Sequence, residues 1–197
     1  MMVFPVSSAF ILRKMIHLGS GLFLIFFAQK SFWYFLLFGI LVLFTIILDL
    51  GRNFNSAWNR IFLRFFGQML KDSERHGKWL GATSLWLGLF LSFIIFPLNN
   101  FKIAASVAVL ADAIAAIGGK LAPYHYIRNS KTFVGSLLFV ITAILLFGQY
   151  WNIPLLPTVL MSIILALIEL YSPEVIENIN ITIGNSLLIY FYLFLSS

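Results

Sequence analysis

The sequence contains no cysteine. That excludes disulfides, cysteine-ligated zinc, iron–sulfur clusters and thiol nucleophiles, while leaving the compartment open. Charge is scarce too: charged residues make up only 10% of the chain, and acidic residues number 7 against 13 Lys and Arg. In their place are 61% hydrophobic and 17% aromatic residues, among them 22 Phe, with a mean hydropathy of +0.97. A soluble domain of 197 residues does not have this composition, and a protein solvated by lipid does. No A-x-A-like cleavage site follows Arg13 and Lys14, so the first apolar stretch is expected to be a retained helix rather than a secretory signal. The pI of about 9.7 would suit nucleic acid, but basic loops that orient a membrane protein account for it better, and no nucleic-acid partner is expected.

Runs of about 20 apolar residues mark candidate membrane spans. Seven occur, roughly at 8–28, 32–49, 79–97, 101–122, 133–150, 153–171 and 179–196. No repeat or linker divides them, so residues 1–197 are expected to form one all-α, polytopic membrane domain. The longest polar connection, Gly51 to Lys78, has an amphipathic centre. Trp58, Ile61, Phe62, Phe65, Phe66 and Met69 recur at helical spacing, and Arg60 and Arg64 fall elsewhere. This predicts one interfacial helix with its arginines toward headgroups; a lid or lipid-entry ramp is the alternative.

With seven spans, eleven of the 13 Lys and Arg fall on one side, and only Lys30 and Lys102 on the other. The N-terminus is therefore expected in the cytoplasm and the C-terminus opposite. All seven acids and all three histidines also fall in the cytoplasmic half, which the Lys/Arg rule does not require. A charged, water-soluble substrate at that face would explain it. Longer polar loops explain Asp72 and Glu174 equally well, but not Asp112 or His17.

Asp112 lies inside an apolar run, where a carboxylate costs about 2.5–3.5 kcal/mol on insertion scales. Asp112 and Glu169 are the leading candidates to hold magnesium, which favours one or two carboxylates plus phosphate oxygens and water. The plain alternative for Asp112 is a buried pair with a Lys or Arg of another helix. Arg13 and His17 stand four residues apart on one helix face, where a guanidinium fork could bind phosphate and an imidazole could move a proton. Lys14 alone reads more simply as a flanking charge. Gly118, Gly119 and Lys120 end the fourth run, either as a helix terminus with a cation facing the dipole or as open N–H groups for a phosphate. Lys131, Thr132, Gly135 and Ser136 open the fifth run, where helix N-termini bind anions. No GxxxxGK[ST] spacing occurs, so this is not a P-loop.

The order of these pieces carries further. R-K-x-x-H (Arg13 to His17) is followed by Glu74 and Gly77 before Gly81 to Ser84. Then come D-A-x-A (Asp112 to Ala115) with Gly119 and Lys120, N-S-K-T-x-x-G-S (Asn129 to Ser136), and finally Glu169 and Asn178. Over nearly its whole length the chain resembles the membrane-embedded CTP-dependent lipid-alcohol kinases: the dolichol kinases, phytol kinases and yeast-type diacylglycerol kinase. Where such kinases often carry Asp-Asn near the last span, this chain has the longer Glu177 beside Asn178. The resemblance implies CTP as phosphate donor, a divalent metal, and a long-chain alcohol in the bilayer as acceptor. Asp112, Glu169 and Glu177 then become metal ligands, and Lys131 and Arg13 balance charge on the transferring phosphoryl group. His17 or Asp112 takes the hydroxyl proton. Lys14, Gly118, Gly119, Lys120, Asn129, Thr132, Gly135, Ser136 and Asn178 become nucleotide and phosphate contacts. The nearest rival is a CDP-lipid synthase (phosphatidate cytidylyltransferase-like), whose H-G-G and D-R-x-D elements are missing from the tail that ends this chain. A transporter or scaffold is a third reading, disfavoured because the charges crowd one face rather than lining a path.

Overall fold

The computed structural model describes residues 7–128, 131–151 and 153–196. Each of the seven apolar runs forms a helix close to its expected place: α1 (Ser8–Phe27), α2 (Phe32–Phe54), α5 (Gly81–Ile95), α6 (Leu98–Leu121), α7 (Phe133–Trp151), α8 (Leu155–Tyr171) and α9 (Glu177–Ser196). Between α2 and α5 lie α3 (Ser56–Phe66), a single 3-10 turn and the short α4 (Asp72–Arg75). Four helices, α1, α2, α6 and α9, are long and apolar enough to cross a membrane; α5, α7 and α8 are apolar but shorter. Local signals set several of the starts. Ser7 and Ser31 accept from the N–H groups of Phe10 and Tyr34, and Asn55 accepts from those of Ala57 and Trp58 to open α3. The all-helical expectation misses one feature, a small antiparallel hairpin of β1 (Tyr126–Arg128) and β2 (Lys131–Thr132) ahead of α7.

Helix α6 is the axis of the bundle. Most of its buried residues are small, Ala104, Ala105, Ala108, Ala111, Ala113 and Ala115 among them. Small residues let neighbouring backbones approach where lipid supplies no hydrophobic drive between helices. One apolar cluster joins α6 to α7, α8 and α9 around Phe139, Phe147, Leu165 and Ile189; a second joins it to α1, α2 and α5 around Phe38, Leu89, Phe93 and Phe101. Two close crossings need glycine. A Cβ at Gly119 would lie 2.6 Å from Thr132 Oγ1, where α6 meets the start of α7, and one at Gly88 would lie 2.9 Å from the Ile179 Cα, where α5 meets α9. Two amides tie α6 to α9 reciprocally: Asn100 donates to the Ser186 carbonyl at 3.2 Å, and Asn185 donates to the Ala104 carbonyl at 3.0 Å.

The outside is apolar. Phe26 is 78% exposed, Trp33 75% and Leu155 72%, and many other large side chains face outward with them. A water-soluble monomer rarely shows so much contiguous apolar surface, whereas a bilayer demands it. Helix α3 has the expected amphipathic form. Phe62 is buried under Arg52, whose guanidinium lies 5.7 Å from the ring centroid, and Ile61 and Phe65 point outward.

Candidate functional site

The ion pairs of the bundle gather at one end. It is built from the N-terminal parts of α1, α5, α7 and α9 and the C-terminal parts of α2, α6 and α8.

Three carboxylates converge there from three helices. Asp112 of α6, Glu169 of α8 and Glu177 of α9 are all buried, and each offers an oxygen within 4.8 Å of the others. Like charges this close need cations, and two lysines supply them. Lys14 Nζ lies 2.7 Å from Asp112 Oδ2. Lys131 Nζ lies 2.5 Å from Glu169 Oε1, 2.5 Å from the Glu169 carbonyl and 2.8 Å from Glu177 Oε1. Burial alone would lower the Lys131 pKa, but the carboxylates of Glu177 and Glu169 outweigh it and hold the ammonium above its ordinary range. His17 Nε2 is shielded from solvent, has no hydrogen-bond partner, and stands 3.5 Å from Asp112 Oδ2. The plain alternative for Asp112, a buried pair with a lysine of another helix, is thus realised by Lys14. What that alternative does not explain is the arrival of Glu169 and Glu177 beside it. Three carboxylates are an oxygen donor set that suits a hard divalent cation, and the unpartnered imidazole nitrogen beside Asp112 is a candidate proton acceptor.

Around this cluster, several residues expected to touch phosphate have internal partners. The Arg13 fork grips Glu74 through two bonds, Nη1 to Oε2 at 2.6 Å and Nη2 to Oε1 at 2.7 Å, and also reaches the Met69 carbonyl at 3.2 Å. Gly118, Gly119 and Lys120 lie within α6, so their N–H groups belong to the helical ladder rather than standing open. Gly119 and Gly135 serve the crossing of α6 and α7; a Cβ on Gly135 would meet the Ala115 carbonyl at 3.0 Å. Thr132 Oγ1 accepts from the Gly135 N–H at 3.1 Å, capping α7. The Lys120 ammonium sits over the Phe10 ring. Asn178 donates to the Gly81 carbonyl at 2.9 Å, which joins α9 to α5. Ser136 Oγ is shielded and has no hydrogen-bond partner. Asn129 lies outside the described residues.

Sequence reasoning gave no role to Asp49 and Arg52, two supports of the α2–α5 connection. Asp49 and Arg52, three residues apart, pair in the interior with Oδ1 to Nη2 at 2.8 Å. Arg52 also donates to the carbonyls of Glu74 and Lys78, each at 2.5 Å. The first N–H groups of α5 then find carboxylates: Leu80 N–H meets Asp49 Oδ2 and Gly81 N–H meets Glu74 Oε1, both at 2.8 Å. Helix N-termini favour negative charge. An Asp and Arg three apart at the end of an apolar helix was the available signal. Lys71 N–H gives Glu74 a further bond at 2.8 Å. Although burial raises the Glu74 pKa, Arg13 and the Gly81 and Lys71 N–H groups outweigh it and hold it below the ordinary glutamate range.

No protein-family model matches the chain, and no solved structure does. The chain is similar to the uncharacterized protein RP860 of Rickettsia prowazekii (strain Madrid E), being 28% identical over 180 residues that cover 87% of each.

Proposed function

We propose that this protein is a CTP-dependent lipid-alcohol kinase with its site at the cytoplasmic face of a membrane. The observation that carries the reading is the convergence of Asp112, Glu169 and Glu177 with Lys131, from three helices and a hairpin strand, at one end of an apolar bundle. Phosphoryl transfer asks the protein for positioning and charge neutralisation more than for covalent chemistry. The motif resemblance supports CTP, magnesium and a polyprenol, phytol or diacylglycerol; the one-sided charge supports a seven-span topology with the site facing the cytoplasm.

In this reading the acceptor's hydroxyl oxygen forms a bond to the γ-phosphorus as the bond from that phosphorus to the β,γ-bridging oxygen breaks. CDP leaves with the electron pair, and the hydroxyl proton passes to His17 Nε2 or Asp112, which stand together. Asp112, Glu169 and Glu177 would hold the magnesium ion, which supplies charge neutralisation on the phosphates when bound. Lys131 and Lys14 are the nearest cations for the phosphate oxygens, and Ser136 Oγ is a free donor close by in sequence. Arg13, engaged by Glu74, acts at one remove by fixing the α4–α5 connection.

The test supplies purified protein with magnesium and γ-labelled or α-labelled CTP over a panel of lipid alcohols. Label from the γ-position alone should appear in a lipid monophosphate. Transfer of the α-label with release of pyrophosphate would replace the kinase with a CDP-lipid synthase. No labelled lipid from any nucleoside triphosphate would leave the membrane scaffold.

A further inference from the structure

Lys131 stands where a metal would compete with it. Its ammonium is held by three oxygens, two of them carboxylate oxygens of the triad, at 2.5 to 2.8 Å. A magnesium ion needs oxygens at about 2.0–2.1 Å. Ammonium and dication would then share Glu169 and Glu177 a few ångströms apart, in a partly buried place where like charges repel strongly. The two lysines of the cluster differ in what they hold: Lys14 pairs with Asp112 alone, whereas Lys131 bridges Glu169 and Glu177, and its side chain, 20% exposed, is not sealed from solvent. Lysine suits such a move: its charge is a point on a flexible four-carbon stem, and its direction can change without the backbone.

We propose that Lys131 is an exchangeable counter-cation. It neutralises Glu169 and Glu177 while the site is empty, gives them up to a divalent cation, and turns to the nucleotide phosphate that arrives with it. The inference rests on the metal-dependent phosphate reading above. It makes empty-site stability and metal affinity opposed properties of one residue. The carboxylates stay paired without metal, and the site takes metal readily only with a phosphate to receive the displaced ammonium.

The experiment measures Mn²⁺ binding to the purified full chain without nucleotide, by the loss of the free-ion electron paramagnetic resonance signal. Lys131→Met should bind Mn²⁺ at least tenfold more tightly than the unaltered protein, and Lys131→Arg, which keeps the charge, no more tightly. Adding a non-hydrolysable CTP analogue should tighten binding in the unaltered protein far more than in Lys131→Met. Equal or weaker binding by Lys131→Met, with the unaltered protein binding well, would overturn the exchange and leave the metal site standing. Failure of every protein to bind Mn²⁺ would remove the metal site and the exchange together. Should Lys131→Met not fold, acylation of Lys131 in the unaltered protein, read by mass spectrometry, decides the matter. Its rate should rise at least tenfold with Mn²⁺ alone and fall again with the nucleotide analogue. An unchanged rate at saturating Mn²⁺ would overturn the proposal.

Discussion

At Asp112 one carboxylate answers to two demands. It balances a partly buried lysine, and it stands among acids placed to hold a metal. The two roles separate by substitution. Asp112→Asn leaves the Lys14 ammonium without a counter-charge, and stranding one member of a buried pair costs about 3–5 kcal/mol. The same change should lower turnover by roughly 10²–10³, the loss expected from one transition-state charge contact. Adding Lys14→Met removes the stranded charge. The double variant is therefore expected to regain the thermal stability lost by Asp112→Asn yet to turn over more slowly than Lys14→Met alone, as read by melting in detergent beside label transfer. Turnover equal to that of Lys14→Met would assign Asp112 to folding alone. The sequence made Asp112 conspicuous because a carboxylate in an apolar run is costly. It could not choose the partner: Lys14 is 98 positions away, and nothing local in either segment encodes that pairing.

Among elements, the α2–α5 connection shows best how polar groups shape the fold. Glu74 joins α1, α4 and α5 through Arg13, the Lys71 N–H and the Gly81 N–H. Its pKa is depressed in the folded state, so its contribution to stability is present above the unfolded value and is lost as pH falls through the folded one. The tie should therefore hold at neutral pH and release only on acidification below the ordinary glutamate range. Hydrogen exchange at the Gly81 and Lys71 amides, corrected for intrinsic rate, should accelerate across that window. Glu74→Gln should already show the fast exchange at pH 7; if it exchanges as slowly as the unaltered protein, the carboxylate is not what holds the connection. The helices themselves were legible, because apolar runs of span length with a serine or asparagine before them leave few choices. The hairpin was not: three residues paired with two carry no periodicity to read. Gly118, Gly119 and Gly135 invited a phosphate-cradle reading, because a glycine at a helix crossing and one in a binding loop look alike in a sequence.

For the whole molecule, the gathering of every charged cluster at one end of the bundle and the unequal distribution of lysine and arginine argue for one orientation. The missing thiols make it easy to test. Single cysteines at Ser56, which begins α3, and at Ser196, which ends α9, should be labelled by a membrane-impermeant maleimide from opposite sides, Ser56 from the cytoplasm. Labelling of both from one side would mean that one of the shorter helices, α5, α7 or α8, does not cross.

The reciprocal amides of Asn100 and Asn185 have a consequence for biogenesis. Each donates its amide N–H to the other helix's backbone while its own Oδ1 stays buried without a partner, yet α6 is synthesised well before α9. While the ribosome is still adding α8, Asn100 has no Ser186 carbonyl to meet and the Ala104 carbonyl has no Asn185 donor. An early helix therefore carries an exposed amide into the bilayer, where unmet polar groups are penalised, until α9 docks. Completion of α9 then acts as a checkpoint on assembly: a nascent chain halted before α9 should remain open to protease and be held by the insertion machinery, and a chain that includes α9 should be released.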